Sequence, residues 1–198
     1  MLNMIKGCRV NDPSILQEAY EKSRNSFAAN VNAEKIQPLL EHFITLHNEQ
    51  CFLILEIPTN FREEPPPNQD GTRTLHKDVY YLDGLTAQSA LDLLHAYGEL
   101  LIHDGLSSFG FGLHSGANEI MVGKYNVVTV YTKTPKQYRG FFEAHGIRRV
   151  WRLKTAWDYF TSNTPGDSFS YQQDRKSVYA LAEHLKQYGL YLAERRED

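Results

Sequence analysis

The apolar positions along this chain switch repeatedly between the three-to-four spacing of a buried helix face and the short dense runs of strands. Asp12 before Pro13 has the form of an N-cap followed by proline at the first helical position, where a missing N–H costs nothing, and it predicts a helix from Pro13 to about Ala28. Asn32 can cap a second helix whose Ile36, Leu39, Leu40, Phe43 and Leu46 form one stripe, with Pro38 shifting its start or kinking it. The run Cys51 to Ile57, closed by Pro58, suits a strand, and Val79 to Leu82 a second one. Thr86 opens a long helix with Ala90, Leu94, Tyr97 and Leu101 on one side, and Asp104-Gly105 ends it.

Beyond Gly105, Phe109 to His114, Glu119 to Val122 and Tyr125 to Thr132 read as strands, and their short links imply antiparallel pairing. Both alternating faces of Tyr125 to Thr132 are largely apolar, which puts that strand in the middle of the sheet. Thr134-Pro135 opens a short helix ending at His145-Gly146, Val150 to Leu153 forms a further strand, Thr155 opens a helical turn, and Asp174 caps a last helix bearing Val178, Leu181, Leu185 and Tyr188. The expected fold is one α+β domain over residues 1–198, with a helical N-terminal part over 1–48. Residues 49–198 then form a mainly antiparallel sheet of about five strands packed with helices. Three consecutive prolines, Pro65 to Pro67, and the turn formers Asn68 to Gly71 make 60–77 an irregular connection, either a lid or a disordered link.

Composition adds little to this picture until charge is followed along the chain. Hydrophobic residues make up 41% and charged residues 23%, the balance of a chain that buries a core. Cys8 and Cys51 are the only cysteines and lack CxxC spacing, so a reducing, cytoplasmic setting is expected, without a disulfide framework or a cysteine-ligated zinc site. Met1 to Val10 shows no leader-like apolar stretch and no run is long enough to span a bilayer, so no membrane role is expected. The net charge of −3 hides an asymmetry: Lys124 to Lys154 holds eight basic residues and one acid, Glu143, a net of +7. The rest carries thirteen basic and twenty-three acidic residues, a net of −10.

Recognisable catalytic chemistry is sparse. The glycines of Gly110 to Gly116 follow GxGxxxG with no helix opening after them, which does not meet the dinucleotide fingerprint. There is no HExxH motif and no GxSxG elbow. His103, Asp104, His114 and Glu119 stand as weak candidates for a zinc site with an open position or for an acid–base pair, and no cofactor is expected. The stronger pattern is the mixture of Lys133, Lys136, Arg139, Arg148, Arg149, Trp151, Arg152 and Lys154, cations interleaved with an aromatic ring. The expectation leans away from an enzyme and toward a protein–protein interaction module, of the antidote or immunity kind, that grips an acidic protein partner and leaves oligomeric state open. The alternatives are a small enzyme or ligand-binding protein at the histidine–carboxylate group, and nucleic-acid binding through 124–154, which the overall negative charge disfavours.

Overall fold

The computed structural model describes residues 1–47, 49–116 and 118–197. In chain order the elements are β1 (Cys8–Arg9), β2 (Ala19–Lys22), β3 (Ser26–Asn30), α1 (Ala33–Thr45), β4 (Cys51–Pro58), β5 (His76–Leu85), α2 (Ala87–His103) and β6 (Ser108–Leu113). There follow β7 (Glu119–Val122), β8 (Val127–Tyr131), α3 (Pro135–Ala144), β9 (Arg148–Val150), β10 (Asp167–Ser168), α4 (Val178–Lys186) and β11 (Tyr191–Glu197).

The expected mainly antiparallel sheet of about five strands with an N-terminal helical pair is overturned. The described strands form a nine-stranded mixed sheet, ordered β11-β5-β4-β6-β7-β8-β3-β2-β9, and a separate two-stranded pair of β1 and β10. Within the large sheet β2 and β9 run parallel and the other neighbours antiparallel. Two of the additional strands, β2 and β3, come from the segment whose sequence signals pointed to a helix. Asp12 does accept the Ser14 N–H at 3.0 Å, but only a short turn over Pro13–Ile15 follows it. The remainder of the predicted helix is the β2–β3 hairpin, because tertiary packing outweighs local propensity here. Tyr20 stacks on Phe142 at 4.5 Å, and Phe27 lies 5.4 Å from that same ring.

One face of the sheet carries the main core. Phe27, Ala29, Leu53, Leu55, Tyr80, Phe109, Phe111, Ile120, Val128 and Val130 are buried there together with Ile36, Leu40 and Phe43 of α1, Leu94 of α2, Phe142 of α3 and Leu181 of α4. Because strand residues alternate sides, the next positions along β4 to β8 point to the opposite face. That face holds a smaller apolar cluster of Phe52, Ile54 and Val79, with Tyr81 and Met121 against it. Helix α1 runs through Pro38 without ending, and α2 begins as its sequence signals, with the Thr86 hydroxyl accepting the Ser89 N–H at 3.1 Å. No described helix is long and apolar enough to cross a membrane.

Two backbone features tie the chain together. Asn126 is fully buried at φ 64, a left-handed conformation that asparagine tolerates, and its amide pins the N-terminal segment. Its Oδ1 accepts the Ile5 N–H at 2.9 Å, and its Nδ2 donates to the Asn3 and Val31 carbonyls at 2.8 Å each. At the end of α2, the Gly7 N–H donates to the His103 carbonyl, the Gly105 N–H to the Phe169 carbonyl, and the Phe169 N–H to the Gly7 carbonyl. A Cβ on Gly105 would lie 1.8 Å from the Gly7 oxygen, so no side chain fits at this crossing.

The connection between β4 and β5 is irregular and anchored at both ends. Glu64 accepts from His76, and Arg195 of β11 reaches Glu63 while holding the buried Asp78 through its Nε (2.6 Å) and Nη2 (3.0 Å). Burial opposes ionisation of Asp78, but hydrogen bonds from Arg195 and Thr59 hold its carboxyl below the usual range.

Candidate functional site

The four weak catalytic candidates do not form one site. His103 and Asp104 precede β6 and His114 follows it, so the length of that strand, about 20 Å, separates the two pairs. His103 accepts the Lys6 N–H on Nδ1 at 3.1 Å, lies 3.5 Å from Glu99 through Nε2, and is held below the ordinary histidine value by burial. Asp104, 1% exposed, is an internal brace. One oxygen accepts the N–H groups of Leu106 and Ser107, both at 2.9 Å, and the other accepts the Tyr171 N–H at 2.9 Å and the Ser170 hydroxyl at 3.1 Å. At the far end His114 bonds Asp83 at 2.9 Å, and the second Asp83 oxygen accepts the Tyr191 hydroxyl at 2.8 Å. Among the described residues no group of three histidine, cysteine or carboxylate side chains is arranged to hold a metal. Burial pushes the thiols of Cys8 and Cys51 up to about 11, which leaves both as buried apolar groups rather than nucleophiles.

The basic stretch is divided by the fold. Lys133 lies against the Gly116 turn, at the opposite end of β8 from Lys124. Lys136 and Arg139 are on α3, and Arg139 pairs with Glu143 at 2.7 Å. Arg148, Arg149, Trp151, Arg152 and Lys154 gather at β9, the last strand of the sheet, whose outer edge carries no described strand. In the parallel pairing Arg148 lies beside Ala19, Arg149 beside Tyr20 and Val150 beside Glu21. Arg148 and Arg149 therefore project to opposite sides of the sheet, Arg149 to the helix side.

The corner after β9 is fixed from beneath. The Leu153 N–H donates to Glu21 at 2.7 Å, and the buried Asn30 amide donates to the Lys154 carbonyl at 2.8 Å and to the Gln17 carbonyl at 3.1 Å. Leu153 is buried as a result, while Trp151, two residues earlier, is 92% exposed. Trp157 differs, since its ring packs on Tyr125 at 5.0 Å and Phe160 at 5.4 Å; Trp151 makes no ring contact among the described residues. A cavity of about 160 Å³ opens beside this corner, floored by Ala19 and Val150 and rimmed by Arg152, Lys154, Gln17 and Tyr159. Lys154 is tied to Asp158 at 3.2 Å, and Arg148 takes a neutral partner, Gln17. Arg149 and Arg152 have no carboxylate partner among the described residues.

No family model, curated protein or solved structure matches this chain.

Two features of this surface lie outside what the sequence pattern points to. The parallel partner of β9 is the β2 hairpin strand, which the Asp12-Pro13 signal disguises as helix. On the open face of the sheet, Glu119 lies between Tyr131 of β8 and Gly112 of β6, which the Phe52 ring of β4 leans over, and the only trace in sequence is that Phe52 and Ile54 make the second alternating face of β4 apolar as well.

Proposed function

We propose that this chain is a non-enzymatic binding protein that holds an acidic protein partner against its β9 edge. The observation that carries this reading is Trp151, almost wholly exposed on a backbone corner clamped by Glu21 and Asn30, between Arg149 and Arg152. Exposing a large ring to water is unfavourable, and tryptophan and arginine are the residues that anchor protein interfaces. Holding them on a fixed backbone lowers the ordering cost that association must meet. Of the eight cations between Lys124 and Lys154, only Arg139 and Lys154 pair with carboxylates among the described residues, which supports a surface able to attract external acids. The cavity beside Arg152 is about five water volumes, room for one acidic side chain. An antidote or immunity protein is one module of this kind, acting by covering its partner.

The test is affinity capture from the native lysate with the natural chain, Trp151→Ala and the triple variant Arg148→Glu, Arg149→Glu, Arg152→Glu, before and after nuclease treatment. The expected result is an acidic protein retained after nuclease and lost with the triple variant, its affinity cut at least about 30-fold by Trp151→Ala. All three forms should have the same free energy of unfolding within about 0.5 kcal/mol, because the altered side chains are exposed. Capture that disappears with nuclease, or a partner retained equally by all forms, refutes the reading.

A further inference from the structure

The sheet face turned away from the helices presents chemistry opposite in sign to the β9 edge. Glu119 is the first residue of β7, directly opposite Tyr131 on one side and Gly112 on the other. Gly112 in turn lies opposite Phe52, and because glycine leaves the place empty, the Phe52 ring leans over it; a Cβ there would be 2.3 Å from the ring. Tyr81 lies 5.3 Å from Phe52 and His114 4.9 Å. The carboxylate therefore stands between the Tyr131 ring on β8 and the place over Gly112 that the Phe52 ring fills. The charge of Glu119 is felt at the Tyr81 phenol, whose pKa it raises after burial has done so.

Glu119 itself has no hydrogen-bond donor or cation reaching it among the described residues. Lys133, the nearest cation along β8, turns its amine to the Gly116 turn. Around Glu119 on this face stand Glu56, Asp83 and Glu194 with Lys77 and Arg196; both cations reach Glu56, and Arg196 also reaches Glu194. Arg148 is on the same face at the far, β9 end of the sheet. Burial, and to a smaller degree the charge of Glu56, holds the Glu119 carboxyl above the usual range, as is normal for a carboxylate that lacks its counter-ion.

We infer that this face is a second interaction surface, built to receive an arginine- or lysine-bearing segment of a protein partner, with the cation placed between the Glu119 carboxylate and the exposed Tyr131 ring directly opposite it. A cation over aromatic rings gains from their electron-rich faces, and a partly desolvated carboxylate beside them supplies the charge-assisted hydrogen bond. Charge complementarity selects this occupant, since the unpaired charge at this end of the face is the Glu119 carboxylate, and an acidic segment would be set against it. The inference stands apart from the β9 edge, which recognises the opposite charge from the other end of the sheet.

The full chain, labelled with nitrogen-15 and with carbon-13 at methionine methyls, is titrated with two glycine–serine peptides of equal length, one carrying three arginines and the other three glutamates. The expected result is saturable movement of the Met121 methyl and of the Gly112, Glu119 and Tyr131 amides with the arginine peptide and none with the glutamate peptide. Glu119→Gln weakens the arginine peptide about 10-fold and Tyr131→Ala about 3-fold, while Glu183→Gln on α4 leaves it unchanged. Glu119→Gln removes a desolvated charge and keeps the fold, and Tyr131→Ala alters a half-exposed ring, so both variants report binding. Shifts scattered over the acidic surface, no saturable movement at Met121, or equal affinity in Glu119→Gln and the natural chain would each overturn the inference.

Discussion

Replacing Asp104 separates a structural carboxylate from a catalytic one. In Asp104→Ala the three buried N–H groups of Leu106, Ser107 and Tyr171 and the Ser170 hydroxyl lose their acceptor at once. Each buried donor left unpaired costs about 1–3 kcal/mol, and since the loop can relax toward water, the sum is expected near 4 kcal/mol. Asp104→Asn keeps one acceptor oxygen but sets an amide donor against donors on the other side, and should lose about half as much. Urea unfolding followed by circular dichroism reads this directly. With a slope of about 2 kcal/mol/M, Asp104→Ala moves the midpoint down by about 2 M and Asp104→Asn by about 1 M. A midpoint for Asp104→Ala within about 0.3 M of the natural chain would refute the bracing role and return Asp104 to the candidates for chemistry.

Histidine burial sets an acid sensitivity. His42, His47 and His103 are each held below the free value of 6.5 by burial, so the unfolded chain takes up their protons first as pH falls. Stability is therefore fully present above 6.5 and declines as pH falls through the lower folded values. The urea midpoint should drop between about pH 7.5 and 5.5, and a level profile over that range counts against neutral burial of these rings. A separate expectation concerns β11, whose described residues are all exposed and whose Arg195 reaches the buried Asp78. Arg195→Ala leaves Asp78 buried without its cation, at a cost of about 3–5 kcal/mol. Amide exchange should accelerate across residues 191–197 and around Glu63; unchanged exchange in β11 would show that the strand ladder alone holds it.

Where elements announce themselves locally, the sequence reading matches the structure closely. The cap at Thr86, the apolar face of α2 and the Asp104-Gly105 stop lie within the helix and its ends, and the runs of β4, β6, β7 and β8 are bounded by their own turns. What was illegible depends on distant partners. Tyr20 and Phe27 become strand residues because Phe142 waits more than a hundred positions away. Strand β9 needs the β2 hairpin beside it, and the Tyr191–Glu197 strand buries nothing, so no alternation marks it. The cations of the candidate surface were visible as a run, but their division between α3, β9 and the Gly116 turn was not. Glu119 was read with His103, Asp104 and His114 as a zinc or acid–base group, whereas its neighbours Tyr131 and Gly112 come from cross-strand register, which composition does not encode.

The crossing of Gly7, Gly105 and Phe169 bears on how the chain reaches and leaves this fold. Its three hydrogen bonds join the first strand segment, the end of α2 and the segment after β10, stretches far apart along the chain. Closing such long loops costs entropy before any contact repays it, so the crossing forms late on the folding path. Interactions absent from the transition state leave folding speed nearly untouched and act on the rate of escape. The two glycines thus serve as a latch on the finished molecule, setting how long it persists rather than how quickly it is made.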